Sequence, residues 1–318
     1  MSRATRPPRL GALEATFLPA AALRAAIATG ALTTISGEGE GGLAAGDVAR
    51  RCGLDPHRTA VMLGVLADAG VVERAEDRFR AHPCVGTLAA IMETKLAGLP
   101  AALAADRAGN GADHGLYPHV VGPLGSMVAA MAERVAELVG RPGAHVLDVG
   151  AGAAPWSLAV LRREATATLT AVDRPEVVPE TTAAVVAAGM EGRATVRAAD
   201  FTVDDLPTGA DVVFLAHVCH LFDGHQAEAL VGRAAAALAP GGSLAVIDIV
   251  SGPGGQTAPD TDKLLRRYEL GLFSRTTHGR VHAIADLSRW CRAAGLSRQE
   301  VHPLGGEPPM TLVVAHRP

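Results

Sequence analysis

The sequence predicts an α/β protein, an open, mainly parallel sheet with helices on both faces, behind a mainly helical N-terminal domain. Two observations predict it. Beyond residue 140, apolar runs of β type (VLDVG, LTAVD, DVVFLA and LAVIDIV) alternate with Ala-rich helical segments, the pattern of parallel βαβ units. Before residue 100 the texture is helical, interrupted by a glycine-rich stretch at 37–42. The length of 318 residues allows two modest domains, and 48% hydrophobic against 19% charged residues supports packed cores rather than disorder. With 3% aromatic residues, those cores are built from Ala, Val and Leu.

In the N-terminal part, Leu43, Val48 and Cys52 read as one side of a short helix, which Gly53 ends. Asp55-Pro56 then supplies an N-cap with proline at the first helical position. Met62, Leu63, Leu66 and Ala69 repeat at helical spacing, with Gly70 where a C-cap belongs. Residues 71–82 read as a charged hairpin, so the segment resembles a winged helix. Such a shape invites a DNA-binding reading, but residues 10–98 carry eight Lys/Arg against ten Asp/Glu, and the second helix has a single Arg. Clustered cations for phosphate are missing, and the apolar helix suits a second subunit better. The net charge of −4 gives no reason to expect nucleic acid or an anionic membrane as a partner.

The four cysteines (Cys52, Cys84, Cys219, Cys291) form no CxxC pair and read as free thiols in a reducing compartment. No apolar leader follows the basic first ten residues, and no eighteen-residue apolar run suggests a membrane span. The expected location is cytoplasmic. Residues 1–99 are assigned to the winged-helix-like domain, 100–140 to linking helices that include 127–139, and 141–318 to the α/β domain. A helix at 286–294 and strands at 301–304 and 311–316 close the chain.

The segment HVLDVGAGAAPWSLAVL has the composition of a ligand-binding turn. A strand ends at Asp148, Gly150 and Gly152 let the backbone turn tightly, and Pro155 opens a helix. A dinucleotide fingerprint would need glycine where Pro155 stands. Asp148 suits an ammonium group better than a pyrophosphate, which favours a sulfonium amino acid over NAD. Twenty-five residues later Asp173 ends the next strand, where a carboxylate accepts from ribose hydroxyls. Asp200 follows the third strand, and Phe201 beside it offers a ring for adenine.

LDVGAGAAP, AVDRPEVVP, AADF, LAHVCHLFDGHQ and ALAPGGSLAVIDIV stand in the order and spacing of the bacterial and plant small-molecule O-methyltransferases, which the chain resembles from Leu10 onwards. The resemblance implies a winged-helix-like dimerisation domain in a homodimer, a class I methyltransferase (Rossmann-like) sheet and S-adenosyl-L-methionine as cofactor. By the same resemblance, Gly150 lies against the cofactor, Asp173 holds the ribose, and Asp200 with Phe201 brackets the adenine. Asp148, Gly152, Arg174 and His217 complete the expected cofactor set. The motif's third glycine is Ala154 here, and the lysine of plant members is Ala216.

Methyl transfer to a hydroxyl needs an aligned acceptor and a base for its proton. His220 stands at the family's base position, and Asp248, twenty-eight residues later, at that of the acid that orients it. His217, His220 and His225 find no carboxylate or thiol at ligand spacing, so no metal is expected. Met127, Met131, Phe222, Tyr268 and Phe273 are candidate walls of the acceptor pocket, for a small aromatic or polyketide-type metabolite. The family often has His-Asp where this chain has His220-Leu221, and Val281 replaces a second acid of plant members. These departures leave open an alternative in which the bound sulfonium serves cyclisation, rearrangement or C-/N-methylation.

Overall fold

The computed structural model describes residues 10–83, 128–252, 261–273, 276–306 and 308–318, with scattered positions between 85 and 103. The chain divides into two compact units, Met1–Thr94 and Lys95–Pro318. Among the described residues no helix is long and apolar enough to cross a membrane.

The first unit contains helices α1 (Leu10–Ala28), α2 (Ala31–Ser36), α3 (Ala45–Cys52) and α4 (Pro56–Asp68), and strands β1 (Leu43–Ala44), β2 (Glu73–Ala75) and β3 (Arg78–Arg80). The strands form an antiparallel sheet in the order β1-β3-β2. Asp55 caps α4 by accepting the Arg58 N–H at 2.9 Å, and Pro56 needs no such partner. Leu32, Ile35, Val48, Leu63, Leu66 and Phe79 form the core. One expected detail differs: Leu43 lies in β1 opposite Phe79, and the helix starts only at Ala45. Gly42, at φ 58°, turns the chain so that Leu43 pairs along its backbone while its side chain stays buried.

In the second unit, α5 (Ala129–Val139) precedes β4 (His145–Val149), α6 (Pro155–Arg163), β5 (Thr168–Asp173), α7 (Val178–Ala187), β6 (Ala194–Ala198) and β7 (Ala210–Ala216). Then follow a 3₁₀ turn at Cys219–Leu221, α8 (Gly224–Ala236), β8 (Leu238–Asp248), α9 (Thr261–Phe273), α10 (Ile284–Ala293), β9 (Gln299–Gly305) and β10 (Met310–His316). The seven strands run in the order β6-β5-β4-β7-β8-β10-β9, parallel except for β10, which is antiparallel to both neighbours. Helices on both faces explain the near-continuous apolar strands. Along β4 and β7, Leu147, Val149, Val213 and Leu215 pack into one core, and Val146, Val212 and Phe214 into the other.

From β4 the sheet grows one way through β5 and β6 and the other way through β7 and β8. The strand order reverses between β4 and β7, so a crevice opens there at the carboxyl ends of the strands, where open α/β sheets bind ligands. Asp148 is the penultimate residue of β4, Asp173 ends β5, Asp200 lies two residues past β6, and Asp248 ends β8. Four carboxylates that are distant in sequence therefore share one edge of the sheet.

Candidate active site

The turn after β4 is built from backbone that only small residues adopt. Gly150 (φ 72°) and Gly152 (φ 55°) are left-handed, and so is Ala154 (φ 52°), which stands at the N-cap of α6. An L-residue pays roughly 1–2 kcal/mol there, and Ala154 is held by full burial and by donating its N–H to the Ala151 carbonyl at 2.7 Å. A Cβ on Gly150 would lie 2.7 Å from Val218 Cγ2 and 3.5 Å from the Phe201 ring. The bare backbone is therefore a steric requirement of the cradle as well as a conformational one.

The acids around this turn are in different electrostatic states. Asp148 is 1% exposed; Oδ2 accepts the Ser157 hydroxyl at 2.5 Å, while Oδ1 is buried with no partner in the structure. Burial pushes this carboxyl up to about 7, with the Ser157 bond opposing and the nearby Asp173 adding to the rise. Asp173 is also raised by burial, although it accepts the N–H of Gly152 at 2.7 Å and of Arg174 at 2.8 Å. Asp200 is lowered, chiefly because Oδ1 accepts the Thr202 hydroxyl at 2.5 Å. Phe201 is only 4% exposed, its ring beside Gly150 and its face 6.0 Å from the Arg174 guanidinium. Most of that ring is thus core, and little of it faces the crevice.

Because the folded pKa of Asp148 is raised, the folded chain holds this proton more tightly than the unfolded chain. Its contribution makes stability fall as pH rises from about 4 towards the folded value of about 7. Asp148→Asn keeps an acceptor for Ser157 and removes the charge. The variant is expected to melt higher than the parent at pH 8 and to match it more closely at pH 5. Melting curves across that range check this, and parallel curves for both proteins would refute it.

Beyond β7 the chain enters a second group of polar residues. His217 has φ 59°, a conformation rare for a non-glycine, and its N–H donates to the Ile247 carbonyl at 2.8 Å. Its ring lies 6.1 Å from Trp156 and 6.0 Å from His220. His220, 2% exposed, meets Asp248 twice: Nδ1 is 2.5 Å from Oδ1, and the backbone N–H donates to Oδ2 at 3.0 Å. Burial alone would raise the Asp248 carboxyl, but attraction to His220 and hydrogen bonding hold it below its ordinary value. The carboxylate thus meets the ring at Nδ1 and leaves the other nitrogen, Nε2, as the atom turned away from the acid. The Tyr268 hydroxyl lies 3.1 Å from Nε2 and 3.5 Å from Nδ1, against the side of the imidazole, with the two rings edge-on at 85°.

Several supports of this group carry no signal in local sequence. His282 donates Nε2–H to the carbonyls of Cys219 (3.1 Å) and Phe222 (3.2 Å), which flank the His220 turn, and packs edge-on against Trp290 at 5.0 Å. Burial lowers its pKa and favours the neutral ring. The Arg280 N–H donates to the His220 carbonyl at 3.0 Å, and a Cβ on Gly279 would lie 2.7 Å from that same oxygen. Val281 donates its N–H to Glu269 Oε1 at 3.2 Å.

The expected acceptor-pocket residues separate. Tyr268 reaches His220, and Met131 packs with Tyr268 against one core. Phe222 packs against the other core, with Trp290 and Leu287. Phe273 ends α9 half-buried, and Met127 lies outside the described residues. His225 is exposed on α8, away from the group. Tertiary structure does supply the carboxylate that local spacing lacked, since ligand atoms of His217, His220 and Asp248 all lie within 4.8 Å of one another. Nδ1 and Oδ1 stand 2.5 Å apart, a hydrogen-bonded separation and closer than two atoms ligating one cation adopt.

Residues 129–297, more than half of the chain, match the family model described as the O-methyltransferase domain. The chain belongs to this family. Among curated relatives, 3-hydroxy-5-methyl-1-naphthoate 3-O-methyltransferase of Streptomyces sahachiroi is 29% identical over 48% of this chain and 43% of its own length. The match thus spans less than half of that relative. The tetracenomycin polyketide synthesis 8-O-methyl transferase TcmO of Streptomyces glaucescens is 28% identical over 96% of this chain and 95% of its own length. Human N-acetylserotonin methyltransferase, solved in complex with SAM, has the same fold, with a TM-score of 0.72 at 18% identity over 99% of both chains. The class I methyltransferase sheet expected from the sequence is the sheet observed. In this family member the strand ends, the glycine turn and the His220–Asp248 pair all fall within the matched region.

Proposed function

We propose that the protein is an S-adenosylmethionine-dependent O-methyltransferase that methylates a hydroxyl of a small aromatic or polyketide-type metabolite, with His220 as general base. The observation that carries this reading is the buried Asp248–His220 pair, in which the carboxylate meets Nδ1 at 2.5 Å and orients the imidazole. A neutral imidazole whose Nδ1–H is held by an ionised carboxylate is oriented to accept a proton at Nε2. The relatives' names, a naphthoate and a polyketide methyltransferase, support the acceptor class.

The residues at the crevice fit the cofactor. Asp148 has an orphaned buried oxygen suited to an ammonium group, and Gly150 and Gly152 supply bare, left-handed backbone in the turn beside it. Asp173 stands where ribose hydroxyls would be accepted, and Asp200, with Arg174 near it, would flank the adenine, the Phe201 ring serving mainly as core beneath. When bound, the cofactor supplies an electrophilic methyl group on a sulfonium. The chain's own part is to align the acceptor oxygen, take its proton at His220 Nε2 and stabilise the imidazolium through Asp248. His217, in its left-handed conformation, sets its ring 6.1 Å from Trp156 and 6.0 Å from His220. The apolar side chains that the first unit exposes (Phe17, Leu18 and Val61) support a homodimer.

Incubation with S-adenosylmethionine and a hydroxynaphthoate tests this reading. One methyl ether per S-adenosylhomocysteine formed is the expected result. Absence of S-adenosylmethionine binding by calorimetry, or acceptor conversion without S-adenosylhomocysteine, overturns it.

A further inference from the structure

His220 rides on a short turn. Cys219–Leu221 is a 3₁₀ turn in which the Leu221 N–H donates to the Val218 carbonyl at 3.0 Å and the Phe222 N–H to the Cys219 carbonyl at 3.2 Å. Hydrogen bonds of this kind are poorer in geometry than those of an α-helix. A small rotation of the turn would swing the His220 ring off the Asp248 carboxylate. Residues 280–282 hold the turn from outside. The Arg280 N–H donates to the His220 carbonyl at 3.0 Å, and His282 Nε2 lies 3.1 Å from the Cys219 carbonyl and 3.2 Å from that of Phe222. Carbonyls only accept, so Nε2 is the nitrogen of that ring that carries a proton. The backbone around His282 is tied to the chain that leaves the acid's strand. The His282 carbonyl accepts the Ser251 N–H at 3.0 Å, and the Ile284 N–H donates to the Ser251 carbonyl at 2.9 Å, just past Asp248. With its side chain on the histidine's turn and its backbone on the carboxylate's strand, His282 closes a circuit of hydrogen bonds around the pair.

We propose that His282 is a positioning residue for methyl transfer: by holding the Cys219 and Phe222 carbonyls it fixes the His220 ring against Asp248, and it acts only through that ring. The inference rests on the reading of His220 as the base. The His282 donor is itself fixed by packing, since the side chain is buried and meets the Trp290 ring edge-on at 5.0 Å. Its effect belongs to the transition state. A base held out of line binds cofactor and acceptor as before but takes the proton badly, so kcat and kcat/KM fall together. Misplacement of a reacting group by about 1 Å is enough to lower a rate about 10²-fold.

A double-mutant cycle with a hydroxynaphthoate as acceptor tests the inference, comparing the parent, His282→Leu, His220→Asn and the double variant, with His282→Gln beside them. Leucine removes the donor and is expected to lower kcat and kcat/KM by roughly 10- to 100-fold, while S-adenosylhomocysteine binds as tightly as before by calorimetry. His282→Gln, whose amide can donate to both carbonyls, should recover most of that loss. In the His220→Asn background the same leucine should lower turnover no further, because no imidazole is left to aim. Equal losses in both backgrounds would mean a structural role alone and would overturn the proposal. So would unchanged turnover in His282→Leu, and so would a glutamine variant as slow as the leucine one. If the leucine variant does not fold, His282→Asn, whose shorter amide draws the donor back from the carbonyls, takes its place in the same cycle. Normal turnover in His220→Asn, or a parent that leaves hydroxynaphthoate unconverted, removes the reading of the site and this inference with it. A slow His220→Asn beside a normal His282→Leu removes the inference alone.

Discussion

His220→Asn is expected to lower methyl transfer by about 10²- to 10⁴-fold, the usual contribution of a positioned general base, while S-adenosylhomocysteine still binds. Asparagine is the informative replacement because its amide can still donate to Asp248, whose Oδ1 receives the Nδ1–H at 2.5 Å. Alanine would leave a fully buried carboxylate without its main partner, at a cost of about 3–5 kcal/mol, and would confuse loss of folding with loss of chemistry. Single-turnover rates across pH, beside a calorimetric titration of S-adenosylhomocysteine, separate these effects. Turnover within an order of magnitude of the parent would remove His220 from the proton transfer.

Asp248→Asn should be nearly as damaging, through the tautomer. An amide placed against Nδ1 can present its N–H there, which forces the imidazole proton onto Nε2, where it blocks acceptance of the substrate proton. A loss of about 10²- to 10⁴-fold in kcat is expected by the logic of His–Asp pairs. Asp248 also accepts the backbone N–H groups of His220 (3.0 Å) and Ile249 (2.8 Å), so stability falls as well. The pH dependence distinguishes the two effects. The folded pKa of Asp248 is depressed, so its stabilisation is present above the unfolded value of about 3.9 and is lost as pH falls through the folded value. Parent and variant should therefore differ in urea midpoint at pH 7 and converge in strong acid. A variant with normal kcat would show that the carboxylate does not set the tautomer.

Much of this arrangement was legible in the chain. The turn residues Gly150 and Gly152 announced themselves by following an apolar run and preceding Pro155, because backbone conformation and hydrophobic period are local properties. Asp173 was legible as a strand end for the same reason, and Asp248 through the family resemblance. What was not legible depends on residues far apart in sequence. Nothing near Tyr268 says that its hydroxyl meets His220, forty-eight positions away. Nothing near His282 says that it bridges the Cys219 and Phe222 carbonyls. Ser157 reads as an ordinary helix residue until burial makes it the partner of Asp148. Leu43 was placed on the wrong element because a two-residue strand has too short a pattern to outweigh a neighbouring helix.

The sequence by itself determined the strand–helix alternation, the glycine cradle and the presence of three acids and a histidine at strand ends, since each follows from side-chain period and backbone preference within a few residues. Tertiary structure alone decided their states: which carboxylate is pushed up, which is held below its ordinary value, and which side chains meet at His220. Those outcomes are set by desolvation and by hydrogen bonds between strands and helices that meet only when the sheet closes.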